Sequence, residues 1–312
     1  MSFSSDCKEE LIRIRVKSAE QRLSQLTGIT FTAGGIRISR QPALFYHTEN
    51  PATAKHIATI ALSLFDADAV VEEKRIEHRR KPIYEVTLSG REIEKLMQET
   101  GAMTHSESGF RLMSDIPQIV FQNEENQRAF LRGAFLGGGS CVDPNRGYHL
   151  ETVFRTKEIA QRAAEIMSGF SLPAKISVRN GDRYLVYLKE GDDVSGMLAL
   201  IGASSSALTL ENVRVNKDMR NYINRTNNCE TANLDKQVVA SLKQRSAIAI
   251  IDRHIGIRAL PASLQQAAQL RMAHPDATVQ ELADLAEIQK SGMYHRLDRL
   301  MKLAEGLEDD CE

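Results

Sequence analysis

The chain has 312 residues, 42% hydrophobic and 26% charged, with a net charge of −1. That is an ordinary soluble balance, long enough for two or three domains, and it excludes collagen-like, disulfide-scaffold and low-complexity classes. No run reaches the ~18 apolar residues of a membrane span and no secretory leader opens the chain, so no membrane partner is expected.

The amino-terminal two thirds read as an internal duplication. The first copy starts with a helix over 8–26 that ends at Thr27-Gly28. The β-rich stretches ITFTAGGIRIS and ALFYHTE follow, with Gly34-Gly35 read as a hairpin turn. A helix over 51–65 carries Pro51 in its first turn, where proline is tolerated. AVVEEKRIE and PIYEVTLS form a hairpin, and a helix over 91–98 closes the copy. The charged run 72–81 suits a solvated sheet edge, or contacts from Arg75, Arg79, Arg80 and Lys81 to nucleic acid.

The second copy repeats this order about 110 residues later. A helix is expected over 123–137, then strands SCVD and YHLETVFR, then a helix over 157–170. AKISVRN and RYLVYLK flank Asn180-Gly181-Asp182, a strong hairpin signal, and a last helix lies over 194–201. A period this long is a domain duplication and not a solenoid. Each copy reads αββαββα, so the fold class expected is α+β. Two repeats, about 8–105 and 120–203, would lie within a domain over 1–205, with their sheets related by a pseudo-two-fold axis. Ala129, Gly133 and Gly137 recur every four residues and make a smooth helix stripe for close approach of another backbone. For Gly137-Gly138-Gly139 a loose helix end is the plainer alternative.

Ser204-Ser205-Ser206 reads as a break. A basic, partly helical linker over 206–232 follows, with Arg214, Lys217, Arg220 and Arg225 every three to five residues. Such cations suit a phosphate backbone or simple solvation. Residues 211–302 hold 14 Lys/Arg against 10 Asp/Glu, and the last ten residues hold five acids and no base. Residues 305–312 therefore read as a disordered acidic tail.

The carboxy-terminal domain is expected over 233–304. Helices over 234–254 and 263–273 precede TVQELADLAEIQKSGMYHRLDRLMK (278–302), which reads as two helices and a tight turn. Val279, Leu282 and Leu285 give the first helix a buried stripe, and Met293, Leu297 and Leu300 the second. Thr278 with Glu281 forms a capping box, and Ser291 caps the second helix. The opposite face carries Ser291, His295, Arg299 and Lys302, with Tyr294 at its flank and Asp298 against the trend. Two amphipathic helices of an ordinary bundle fit the same spacing. Helix-turn-helix order within a four-helix domain also suits a DNA binder.

Metal and cofactor chemistry find no support. Cys7, Cys141, Cys229 and Cys311 lie far apart, which points to a reduced, cytoplasmic setting. His47, His56, His78 and His105 lack a second ligand at helical spacing, and His149 with Glu151 reads as a surface pair. No P-loop, Rossmann or nucleophile-elbow motif is present. No cofactor is expected.

NRTNNCETANLDK (224–236), ALPASLQQAAQLRMAHPDAT (259–278) and KSGMYHRLDRLMKLAE (290–305) together resemble the WhiA family, sporulation and cell-division transcription regulators. The resemblance spans essentially the whole chain. It implies that the duplicated part is similar to LAGLIDADG homing endonucleases, with LRGAFLGGGS (131–140) as the motif. An endonuclease places a metal-binding acid just before the motif's last glycine. Here that position is Gly138, with Thr27 as its first-copy match, and neither supplies a carboxylate. Glu20, Glu124, Glu125 and Asp143 nearby read as solvated or structural. Arg22 stands opposite Gly133 in this alignment, so the close helix packing is expected to be one-sided.

The resemblance implies a non-enzymatic, sequence-specific transcription regulator on double-stranded promoter DNA, cytoplasmic and nucleoid-associated. Bases would be read by Ser291, Tyr294, His295 and Arg299. Phosphates would meet Lys290, Arg296 and Lys302, with Thr278, Gln280 and the linker cations Arg214, Lys217, Arg220 and Arg225 completing the DNA face. The rival readings are a platform for a second transcription factor and a residual metal-dependent nicking enzyme.

Overall fold

The computed structural model describes residues 2–75, 81–106, 109–179 and 181–309. The expectations for His78, Arg79, Arg80, Asn180 and Cys311 lie outside them. The chain divides into two compact units, Met1–Lys217 and Asp218–Glu312.

The first unit opens with α1 (Phe3–Ile12) and α2 (Ala19–Ala33), then β1 (Gly34–Arg37), β2 (Ala43–Thr48), α3 (Pro51–Phe65), β3 (Asp68–Lys74), β4 (Ile83–Ser89) and α4 (Ile93–Glu99). A hairpin of β5 (Met103–Ser106) and β6 (Gly109–Leu112) separates the repeats. The second repeat is α5 (Glu124–Gly138), β7 (Gly139–Cys141), β8 (Leu150–Phe154), α6 (Lys157–Gly169), β9 (Lys175–Arg179), β10 (Arg183–Leu188) and α7 (Gly191–Ile201). Both large sheets are antiparallel, with order β1-β2-β4-β3 and β7-β8-β10-β9. This is the αββαββα duplication expected.

Alternation explains which sheet face is inside. Leu44, Tyr46, Val86 and Leu88 point to the helices and are buried, as are Leu150, Phe154, Val186 and Leu188 in the second sheet. The intervening residues form the open faces.

Three details of the first copy differ from expectation. The single helix over 8–26 is two helices: α1 ends at Ile12 with Arg13 as its cap, and Ser18 starts α2, accepting from the Gln21 amide at 3.4 Å. Thr27-Gly28 is not a helix end but the middle of α2, which runs on to Ala33. Gly34-Gly35 is a helix-to-strand junction and not a hairpin turn: a Cβ at Gly34 would lie 2.5 Å from the Thr30 carbonyl oxygen, and one at Gly35 2.5 Å from the Phe45 ring.

The helix ends and strand registers give the true alignment of the repeats. α2 and α5 are both 15 residues long, and each runs straight into a strand through a glycine, Gly34 or Gly139. Gly28 therefore matches Gly133, and Ala33 matches Gly138. The spacing is not constant around the repeat, since Gly34 pairs with Tyr46 and Gly139 with Thr152, while Tyr46 pairs with Val86 and Thr152 with Val186. A single offset of about 110 thus put Arg22 and Thr27 in the wrong register.

α8 (Ser204–His254) is one continuous helix of 51 residues, beginning in the first unit and running into the second. The serines read as a break are its first turn, where the Glu10 carboxylate accepts from the amides of Ser205 at 2.7 Å and Ser206 at 3.0 Å. The segment read as a linker is helical throughout.

The second unit continues with a 3-10 turn (Ile257–Ala259), α9 (Ala262–Ala273), α10 (Val279–Leu285) and α11 (Lys290–Asp309). Its core joins Ile248 and Ile251 of α8 to Leu264, Ala267 and Ala268 of α9, Leu282 and Ala283 of α10, and Met293, Leu297 and Leu300 of α11. Leu285 is 53% exposed, and Ala283 and Ala286 fill its expected place in the stripe. Residues 305–309, read as disordered tail, prolong α11.

Candidate nucleic-acid interface

α10 begins at a complete capping box. Thr278 Oγ1 accepts from the Glu281 amide at 3.1 Å, and Glu281 accepts from the Thr278 amide at 2.7 Å. Donation from the Thr278 amide, and then from its hydroxyl, holds the exposed Glu281 carboxyl below its usual range. The turn to α11 uses Glu287 at φ 53°, and the Ile288 amide closes it on the Ala283 carbonyl at 3.0 Å. α11 starts at Lys290, so Ser291 lies inside its first turn and is not the cap.

The loop before α10 is held by side chains that sequence reading did not single out. Arg271, 2% exposed, donates through Nη1 to the carbonyls of Ala277 at 2.7 Å and of His274 and Pro275 at 3.4 Å. Ser241 donates to the Pro275 carbonyl at 2.5 Å and Gln237 to that of Asp276 at 2.8 Å. A buried guanidinium serving three carbonyls fixes the chain entering the motif. The only sequence signal was an arginine four residues before Pro275, inside an otherwise apolar helix face.

On α11 the outward positions separate into two groups. Lys290, Ser291, Tyr294, His295 and Arg299 are exposed. Gln289, Lys290, Ser291, Tyr294 and His295 line a shallow recess of about 530 Å³ at the start of the helix, where Tyr294 and His295 meet edge to face. Arg296 instead donates to Gln266 at 2.9 Å, and Lys302 pairs with Asp298 at 2.9 Å. On α10, Gln280 donates to Asp284 at 2.8 Å, and Thr278 is occupied as the cap.

The cations of α8 also divide. Arg214 binds Asp192, and Glu211 at 3.3 Å. Lys217 donates to the Pro144 carbonyl at 2.6 Å and lies over the Tyr148 ring. Both are engaged within the first unit, which departs from the reading of them as backbone contacts. Arg220 and Arg225 are exposed.

The helix pair on the pseudo-axis is packed from both sides, against the one-sided expectation. A Cβ on Gly133 would lie 1.9 Å from the Gln25 carbonyl oxygen, and one on Gly28 would lie 2.1 Å from that of Phe130. At the end of α5, Gly138 faces Thr32 Cβ and the Val153 carbonyl oxygen, each 2.9 Å from an added Cβ. The position thus lacks a carboxylate and lacks room for one. Its match in α2 is Ala33, while Thr27 is fully buried mid-helix. Asp143 closes an exposed turn, accepting from the Asn145 amide at 2.9 Å, which lowers its pKa. Among the described residues no three His, Cys, Asp or Glu side chains gather as a metal site would need.

Two family models match: the WhiA LAGLIDADG-like domain over residues 127–220 and the WhiA C-terminal HTH domain over 223–304. A probable cell division protein WhiA from Clostridium perfringens is 38% identical over 312 residues, covering 98% of each chain. One from Alkaliphilus metalliredigens is 39% identical over 311 residues, again covering 98% of each. The crystal structure of full-length DUF199/WhiA from Thermatoga maritima superposes with a TM-score of 0.63 at 24% identity, over 98% of each chain. With a LAGLIDADG-like domain followed by a helical HTH domain, and relatives alike along their whole length, the chain belongs to the WhiA family.

Proposed function

We propose that this protein is a sequence-specific, non-enzymatic transcription regulator that serves cell division, chromosome segregation and sporulation. It acts on promoter DNA at the nucleoid. The observation that carries this reading is the start of α11, where Lys290, Ser291, Tyr294, His295 and Arg299 stand exposed over a packed core, behind a turn locked by its own backbone. Laid in a major groove, Ser291, Tyr294, His295 and Arg299 reach base edges and Lys290 a phosphate. Arg296 and Lys302 take phosphates only by leaving Gln266 and Asp298, so their contributions are smaller. Arg220 and Arg225 add exposed charge on α8. The carboxylate-free ends of α2 and α5, with no room for a side chain at Gly138, support the absence of nuclease activity.

The test is genome-wide crosslinking to find the operator, followed by binding titrations at several salt concentrations. Arg299→Ala is expected to weaken operator binding by about 1–3 kcal/mol and to relax specificity at one base pair. Binding unchanged at every salt concentration refutes the assignment. The exposed apolar side chains Met219, Tyr222 and Ile223 of α8 favour a second reading, a platform for a second transcription factor. Pull-downs in which their replacement by serine spares DNA binding but loses the partner would support it.

A further inference from the structure

The two open sheet faces are built alike and charged differently. In the second sheet Arg183 pairs with Arg179, and the Tyr184–Phe154 pair places Arg155 opposite Arg183 on its other side. Three arginines thus stand in one cross-strand row. The matching row of the first sheet, set by the Lys74–Ile83 and Thr48–Tyr84 pairs, is Lys74, Ile83 and Glu49.

The first sheet balances its charges. Glu85 accepts from Lys74 at 2.7 Å, lies 2.7 Å from His47 and has Arg37 at 3.9 Å. Its match in the second sheet is Leu185, which carries no charge. Among the described residues no acid pairs with Arg155, Arg179 or Arg183. Like charges directly opposite on neighbouring strands repel. Burial, and then the neighbouring Arg183 charge, push the Arg155 pKa down. Fold stability gives no reason for such a row, whereas an anion does.

Arg155 and Arg183 line a cleft of about 800 Å³ whose apolar wall includes Ala33, Ile83 and Val153, with Lys74, His47 and the acid Asp182 as its other titratable groups. That volume is within the range of small-molecule sites, roughly 300–1,000 Å³. The geometry points to a free nucleoside polyphosphate as its ligand, with the phosphate chain on Arg155 and Arg183 and the base over Ala33, Ile83 and Val153. Guanidinium forks match phosphate oxygens two at a time, and neighbouring strands about 4.8 Å apart carry them along a short phosphate chain. A duplex lying across both sheets would meet the Glu72–Glu85 pair of the first as well as the arginines of the second. A small ligand in the cleft reaches Arg155 and Arg183 without lying over that acidic pair.

The test uses the full-length chain with fluorescent ATP and GTP analogues, inorganic triphosphate and duplex DNA as competitor. A nucleotide is expected to bind saturably and to be displaced by triphosphate. Arg155→Gln and Arg183→Gln should each weaken it by roughly tenfold or more, as loss of a charged hydrogen bond does. Leu185→Glu, which restores the first sheet's acid, should weaken it too. Each variant must keep its circular dichroism and its DNA binding through α11, which separates this result from the fate of the transcription-regulator reading. The proposal is overturned by three outcomes: no saturable nucleotide binding, binding indifferent to all three substitutions, or substitutions that change duplex affinity while nucleotides fail to compete.

Discussion

Replacing Gly133 by alanine tests the packing on which the first unit depends. The added Cβ lands 1.9 Å from the Gln25 carbonyl oxygen, and real Cβ atoms essentially never come within 3.0 Å of a neighbour, so α2 and α5 must separate by at least 1.1 Å. The obstacle is backbone, so no rotamer change relieves it. Overpacking of this kind costs about 1–3 kcal/mol, and here the upper end applies because Leu26, Ile29, Phe130 and Ala134 lose contact together. Alanine's better helix propensity returns up to ~1 kcal/mol. The net expectation is a loss of about 2 kcal/mol. Native-state hydrogen exchange of the α2 and α5 amides reads that unit directly. Gly306→Ala is the control: nothing lies within 4 Å of its Cβ, and it should stabilise α11 slightly. Exchange in α2 and α5 as slow in Gly133→Ala as in the parent would refute the reasoning.

Two further predictions concern other parts of the molecule. Arg271→Met should cost the second unit about 1.5–3 kcal/mol, as for charged hydrogen bonds, and weaken DNA binding by loosening the loop before α10; an unchanged melting temperature counts against it. His56 has its pKa lowered to about 4 by burial and then by the Arg132 charge, while it meets Gln25 at 2.9 Å. Its folded-state pKa lies below the unfolded value of about 6.5, so its contribution is complete above that pH and is lost as pH falls toward 4. His56→Gln should flatten the stability profile across that window in urea titrations, and parallel profiles for the two proteins would disprove it.

The duplication, the succession of helices and strands along each copy, and the two helices of the motif could be read from the sequence because each rests on local pattern. Alternation gives strands, Gly181-Asp182 marks the turn between β9 and β10, and Thr278 with Glu281 marks a helix start. The register between copies could not be read the same way. Insertions within each copy shift the offset, and the helix ends and strand pairs of the fold reveal that Gly28 answers Gly133. The 51-residue α8 was hidden for another reason: its middle is exposed on nearly all sides, so it shows no apolar period to detect. The exposed tip of α11 was visible as a polar helix face, whereas the roles of Arg271, Arg296 and Lys302 depend on neighbours that are distant in sequence or whose rotamers only coordinates define.

The two sheets sit in one polypeptide, and that has a consequence for what each can become. Were they supplied by two identical subunits, every substitution would appear twice, and a row of three arginines on one side would force the same row on the other. Covalent fusion removes that constraint. One half can keep its acids as ballast while the other accumulates bare positive charge, so the molecule offers a single odd face instead of a mirrored pair.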